Sequence, residues 1–223
     1  MTRTIGIGDI HGCHNLLVNL VERIIRFNPD NDTLVFLGDY LDRGHRVRNV
    51  VHYLRQLKAQ HPDNIVLLLG NHEDTAYNAM TFKQTQYSWG DPMGEWIRSG
   101  GQATIMSYGG LENCKRELLP FIEQLELYHE QDNNIFVHGG IPVGKTLRTS
   151  TPFELIWNRE LSYQGDKTLV VGHSIQLFVV VDNGVVCCDT GAFFTGKLSG
   201  YDVLNQQVYQ TIGKPWYQVV QYG

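Results

Sequence analysis

The sequence predicts an α/β protein with a parallel sheet in its first third and a second sheet packed on it. Two observations carry this. The pattern of apolar strand, polar loop and helix recurs through the first third, which implies a parallel sheet with crossover helices. The last third instead carries short apolar runs around turn signals, the mark of β-hairpins.

Ile5-Gly6-Ile7-Gly8 reads as a short strand entering the loop Asp9-Ile10-His11-Gly12. From Asn15 to Phe27, apolar residues at Leu16, Leu17, Leu20, Val21, Ile24 and Ile25 have helical spacing, with Asn15 as the cap. Leu34-Val35-Phe36-Leu37 is a buried strand leading into Gly38-Asp39-Tyr40-Leu41-Asp42-Arg43-Gly44. Val47 to Gln60 is an amphipathic helix with Val50, Val51, Leu54 and Leu57 on one face, and Pro62-Asp63-Asn64 ends it. Ile65 to Leu69 is a third strand, followed by Gly70-Asn71-His72-Glu73. Residues 74–131 read as a helical insert beside the site, with its own small core and aromatic residues Tyr77, Phe82, Tyr87, Trp89, Trp96 and Tyr108.

Ile135-Phe136-Val137 is a strand ending in His138-Gly139-Gly140, and Leu169-Val170-Val171 is another, ending in Gly172-His173-Ser174. Leu177–Asp182 and Val185–Asp189 flank Asp182-Asn183-Gly184, a hairpin signal because Asn-Gly accepts positive φ. Leu198–Leu204 and Val208–Ile212 flank a second turn, and this β-rich third is expected to form the second sheet. No linker, low-complexity stretch or repeat divides residues 1–223, so the expectation is one domain.

Composition excludes several classes. The chain of 223 residues carries a formal charge of -5, is 42% hydrophobic and 18% charged, and so reads as a globular protein without the basic surface that nucleic acids select. Cys13, Cys114, Cys187 and Cys188 lack zinc spacing and read as reduced thiols. The N-terminus enters a strand at once, and no stretch is long and apolar enough to span a bilayer. The expectations are therefore a cytoplasmic monomer with no membrane and no nucleic-acid partner.

The polar loops hold the chemistry. Asp9 and His11, Asp39 and Asp42, Asn71 and His72, His138, and His173 follow apolar strands. Charges so near a core are costly unless they bind a metal or ligand. Mixed Asp, Asn and His ligands suit borderline divalent metals, and the group is large enough for two ions with one bridging carboxylate. The bland alternative for Gly38 to Gly44 alone is a polar turn with a surface Asp–Arg pair.

Gly8-Asp9-Ile10-His11-Gly12, Gly38-Asp39-Tyr40-Leu41-Asp42-Arg43-Gly44 and Gly70-Asn71-His72-Glu73, with His138 and His173 behind them, resemble the signature blocks of the phosphoprotein phosphatase (PPP) family, nearest in size to its small phage and bacterial serine/threonine protein phosphatases. The resemblance implies a calcineurin-like metallophosphoesterase fold, two mixed sheets packed as a sandwich and flanked by helices (α/β/β/α). It implies a dinuclear centre, manganese first with iron or zinc as alternatives. Asp9 and His11 would bind the first metal, Asp39 would bridge, and Asn71, His138 and His173 would complete the second. His72 would be the general acid oriented by Asp42, with Arg43, Arg159, Asn71 and His72 about the phosphate. The implied reaction is hydrolysis of a phosphomonoester by in-line attack of metal-bound hydroxide.

The expected substrate is a phosphoprotein, on serine, threonine or tyrosine, or a small phosphate ester. The alternative is a bis(5'-nucleosyl)-tetraphosphate or another nucleotide. Asp42 weighs against the symmetrically cleaving tetraphosphatases, whose second block resembles Gly-Asp-Leu-Val-Ala-Arg-Gly. Ser174-Ile175 departs from the Gly-His-Thr-Pro segment common in bacterial relatives. Asp189 reads as a turn residue, and Cys13 as a small buried filler. Glu73 is either an orienting residue or a helix N-terminal acid.

Overall fold

Apolar residues at alternate positions build two five-stranded sheets in the computed structural model, which describes residues 2–83 and 90–215. The strands, in chain order, are β1 (Arg3–Ile7), β2 (Asp32–Phe36), β3 (Ile65–Leu67), β4 (Tyr128–Gln131), β5 (Asn134–Val137), β6 (Thr168–Val171), β7 (Val180–Asp182), β8 (Val185–Cys187), β9 (Lys197–Asp202) and β10 (Gln207–Ile212). The first sheet has the order β10-β9-β1-β2-β3, with β1, β2 and β3 parallel. The second has the order β4-β5-β6-β8-β7, with a parallel centre and antiparallel edges.

The period of two decides which core each side chain joins. Leu34 and Phe36 face the helices that cover the first sheet, whereas Val35 and Leu37 face the second sheet. Across that gap lie Phe136, Val170, Val186 and Cys188. Ile135, Val137, Leu169 and Val171 point outward to a third cluster, closed by Leu155 of the Pro152–Trp157 helix. Full burial of such side chains contributes about 1.5–3 kcal/mol each. The result is the predicted layering, two mixed sheets face to face with helices outside.

Several local expectations need correction. The β9–β10 hairpin joins the first sheet, through β9 against β1, and not the second. Residues 128–131 are strand β4, an edge strand with alternating exposure, and not the end of a helical stretch. Asn15 does not cap its helix: the Cys13 position precedes His14–Val18 without a side-chain cap, and Asn15 instead accepts from Arg46 Nη1 at 3.0 Å. That helix continues with π-type hydrogen bonding over Asn19–Ile25 and stops at Arg26, which is left-handed.

The insert is helical where described, with Asn71–Thr81, Pro92–Trp96, Gln102–Ser107 and Leu111–Ile122. Its buried residues do not form a separate core. Trp96, Tyr108, Leu118 and Phe121 share one cluster with Ile5 and Phe36 of the first sheet. Tyr87 and Trp89 lie outside the described residues. No helix among the described residues is long and apolar enough to cross a membrane.

Candidate metal and catalytic centre

The ends of β1, β2, β3, β5 and β6 deliver their loops to one place. The first two loops are tied together through the backbone: Ile10 N and His11 N donate to Asp39 O at 3.1 and 2.9 Å, and Gly12 N donates to Tyr40 O at 3.0 Å. At the crossing, a Cβ on Gly12 would lie 2.7 Å from Gly44 O, so glycine is required there. His11, Asp39, Asp42, Arg43 and His173 all have positive φ, between 44° and 68°. Left-handed backbone costs a non-glycine residue about 1–2 kcal/mol, so surrounding structure must hold it.

Glu73 supplies much of that hold. Its buried carboxylate accepts from Asp39 N (2.8 Å), Gly70 N (3.1 Å), Tyr40 N (2.8 Å) and Leu41 N (3.1 Å). The sequence left its role open between orienting residue and helix acid, and it serves both. The spacing was a legible signal, since Glu73 is the third residue of the helix that begins at Asn71.

Asp39 lies at the centre. Its Oδ2 is 3.4 Å from His11 Nε2 and 3.8 Å from His72 Nε2, and its Oδ1 is 3.4 Å from His138 Nε2. Two sets of ligand-capable atoms result, His11–Asp39–His72 and Asp39–His138–His173, each within 4.8 Å and all buried. Asn71 Oδ1 joins the second, 3.0 Å from His138 Nε2. Asp9 belongs to neither set among the described residues. Its oxygens accept from His173 N at 3.1 and 3.2 Å, and the first cluster joins His11 and Asp39 with His72, where Asp9 and His11 with Asp39 were expected from sequence.

The donor chemistry fits divalent cations. His11 Nδ1 donates to Leu41 O at 2.7 Å and His138 Nδ1 donates to Leu37 O at 2.8 Å, because a carbonyl can only accept. Each ring therefore turns Nε2 inward as an acceptor: that of His11 meets Asp39 Oδ2 and the Arg43 Nη1 donor, and that of His138 meets Asn71 Oδ1. Lone pairs facing lone pairs at buried positions are what a cation relieves. His173 Nε2 is buried with no hydrogen-bond partner, another free donor atom.

Protonation separates the histidines. Burial, and the neighbouring His72, push His11 well below the ordinary imidazole range. Burial also lowers His138, and burial with His138 pulls His173 down to about 3. These shifts favour the neutral form of the three rings, the form in which an imidazole can bind a metal. For His72 burial acts the same way, but the Asp39 and Asp42 carboxylates more than offset it and the pKa stands above the ordinary value. Burial would raise Asp39, yet the imidazoles around it, His138 and His72 first, hold it below the carboxylate range.

His72 Nδ1 is 2.7 Å from Asp42 Oδ2. Arg43 is half-buried and spans the mouth, its Nη1 2.9 Å from His11 Nε2 and its Nη2 2.9 Å from His72 Nε2. Arg159, exposed, donates to His173 O at 2.9 Å, which brings its guanidinium to the rim. Three site residues were missed or underrated in sequence. Asp189 is buried and is among the causes, after burial, that raise the pKa of Asp9. Trp96 and Thr104 both donate to Asp42 Oδ1. Neither sits near a signature block, so only the fold reveals them.

Comparison with known proteins matches residues 2–196 to the Calcineurin-like phosphoesterase family. The chain is 26% identical to Bis(5'-nucleosyl)-tetraphosphatase PrpE (asymmetrical) of Halalkalibacterium halodurans, covering 86% of this chain and 87% of that protein. It is 25% identical to Serine/threonine-protein phosphatase 2 of Salmonella typhimurium, covering 88% and 91%. In fold it is similar to the cold-active protein-tyrosine phosphatase of a psychrophilic Shewanella, with a TM-score of 0.63, 18% identity and coverage of 95% of this chain and 78% of that chain. With the family match spanning most of the chain and a centre of the kind such phosphatases need, this protein belongs to the calcineurin-like phosphoesterases and is a metallophosphatase.

Proposed function

We propose that this enzyme hydrolyses bis(5'-nucleosyl) tetraphosphates, in the asymmetric sense of its relatives, at a centre of two divalent ions. The observation that carries the dinuclear reading is Asp39, whose two oxygens face one ligand set each. His11 and Asp39, with Asp9 beside them, would hold one ion, and Asp39, Asn71, His138 and His173 the other. Ions held there would supply charge neutralisation at phosphoryl oxygens and an acidified water as nucleophile.

The chain's own residues do the rest. Arg43 and Arg159 bind phosphate oxygens, where planar guanidinium forks fit best. Asn71 fixes the phosphate's position beside His72. With Arg43 drawn to the phosphate, His72 as the imidazolium carries protons at both ring nitrogens: the one at Nε2 passes to the leaving oxygen as the bond from phosphorus breaks, and Asp42 accepts the other, at Nδ1. Neither cysteine nor serine forms a covalent intermediate. The substrate class rests on the relatives and on Phe194. That ring is 46% exposed and 5.8 Å from the Arg43 guanidinium, a flat surface for a base beside the phosphate site.

The sequence alone favoured a phosphoprotein, and one observation still supports it as a second reading. A buried carboxylate–histidine pair suits a poor, alkoxide leaving group such as serine or threonine, more than a phosphate leaving group. The test is kcat/KM of the manganese-loaded protein on diadenosine tetraphosphate against phosphoserine and phosphothreonine peptides. A ratio at least tenfold in favour of the dinucleotide is expected; a ratio reversed to the peptides would replace the first reading by the second. Undiminished activity after metal stripping would overturn both.

A further inference from the structure

We propose that Trp96 and Thr104 are positioning residues that hold the Asp42 carboxylate and, through it, fix the aim of the His72 ring. The proposal rests on the reading of His72 as proton donor. Asp42 is fully buried, so its carboxylate must find its partners inside the protein. Oδ2 takes His72 Nδ1 at 2.7 Å. Oδ1 takes Trp96 Nε1 at 2.9 Å and Thr104 Oγ1 at 2.7 Å. Thr104 Oγ1 in turn accepts from Asp42 N at 2.9 Å.

The direction of the bonds to Oδ1 and from the Asp42 amide is determined. An indole N–H and a backbone N–H can only donate. Thr104 accepts from the Asp42 amide, so its single hydroxyl proton is free for Oδ1. Asp42 therefore acts as an acceptor toward both groups on Oδ1. Oδ2 faces His72 Nδ1, and as a carboxylate oxygen it accepts the Nδ1–H of the proton-donating ring. The other ring nitrogen, Nε2, then faces Arg43 and the centre. Both Trp96 and Thr104 are fully buried, and both come from the insert.

The same segment is fitted to this task. Gly100 O accepts from Arg43 N at 3.2 Å, so the insert anchors the phosphate arginine's backbone as well. Gly101 lies flat against the Trp96 ring, where a Cβ would come within 2.6 Å of it. Any side chain there would push the indole N–H off Asp42. Removing Thr104's hydroxyl leaves the Asp42 amide unpaired and frees the carboxylate to turn, which loosens the aim of His72 without touching a metal-ligand atom.

The test uses the manganese-loaded full chain with Thr104→Val, Thr104→Ser, Trp96→Phe and His72→Asn. Turnover is compared on p-nitrophenyl phosphate, a good leaving group, and phenyl phosphate, a poor one whose phenol titrates near pH 10. A proton donor contributes about 10²–10⁴-fold on poor leaving groups. Thr104→Val and Trp96→Phe should lose about tenfold or more of kcat on phenyl phosphate, with KM and metal content unchanged and a much smaller loss on p-nitrophenyl phosphate. Thr104→Ser, which keeps the hydroxyl, should restore the wild-type pattern. In the zinc-loaded protein, nitrogen NMR should show a hydrogen-bonded Nδ1 proton on His72 in wild type and Thr104→Ser, and that signal weakened in Thr104→Val.

If His72→Asn loses both esters equally, the proton-donor reading fails and takes the proposal with it. If His72→Asn is selective while Thr104→Val and Trp96→Phe match wild type, the proposal alone is overturned. Equal loss on both esters in those two variants would leave them a structural role only and also overturn it. Should Thr104→Val fail to fold, Trp96→Phe, which keeps most of the ring volume, decides the matter.

Discussion

The carboxylate of Glu73 accepts N–H groups from Gly70, Asp39, Tyr40 and Leu41 and in that way shapes a centre whose ligand sets do not include it. Glutamine keeps the length of the side chain but turns one acceptor oxygen into a donor group. Two backbone N–H groups would then face an NH₂ in a buried place. Each unsatisfied buried group costs about 1–3 kcal/mol, so Glu73→Gln should lower stability by about 2–6 kcal/mol. Urea unfolding of the metal-free protein reads this directly, and a midpoint equal to wild type would refute it. The residues that meet at this centre, His72 among them, were legible because each follows an apolar strand within a short local block. Trp96, Thr104 and Asp189 were not, because their value lies in contacts with Asp42 and Asp9 across 54, 62 and 180 positions of chain, and no local pattern marks such distances.

Among the elements, the β7–β8 hairpin is the clearest case of local chemistry deciding structure. Asn183 and Gly184 have φ of 46° and 75°, the left-handed pair that a tight two-residue turn demands. Gly184 O accepts from Leu169 N at 2.8 Å, at the start of β6, so the turn sits at the opposite end of the strand from His173. Gly184→Val places a β-branched residue in left-handed backbone and should cost about 1–2 kcal/mol. Turnover per folded molecule should not change; a lower kcat with full metal content would show that the turn and the site are coupled. The same local logic could not assign each hairpin to its sheet. Both look alike in sequence, and β9 joins the first sheet because Ile5, Gly6 and Ile7 offer it a paired edge, a contact made over nearly the whole chain. Strand β4 escaped notice for a related reason: as an edge strand it alternates exposed Tyr128 and Glu130 with half-buried neighbours and lacks an apolar run.

At the scale of the molecule, the centre lies where the two sheets meet. Asp9 and Asp39 leave the first sheet and His138 and His173 leave the second; the lone pairs of Asp39, His138 and His173 converge, and Asp9 accepts from His173 N beside them. Burial, Asp189 and Asp39 push the Asp9 carboxyl well above its ordinary pKa, the mark of acidic groups crowded together without a neutralising charge. A divalent ion bound only by the folded state relieves that crowding and links the sheets. At a free concentration of 100 times its dissociation constant, such an ion stabilises the fold by about 2.7 kcal/mol. For a chain of this size that corresponds to a rise in Tm of about 5–10 °C. Manganese titration followed by thermal unfolding, with a chelator as reference, should show this rise in wild type. Asp39→Ala removes the group shared by both ligand sets and should abolish it. Asp42→Ala removes the partner of His72, Trp96 and Thr104 but no atom of either ligand set, and should keep most of the rise while turnover on phenyl phosphate falls. A full thermal shift in Asp39→Ala, or none in Asp42→Ala, would break the division of labour between the two aspartates, because the first would show metal binding without the bridge and the second would place Asp42 in the metal set.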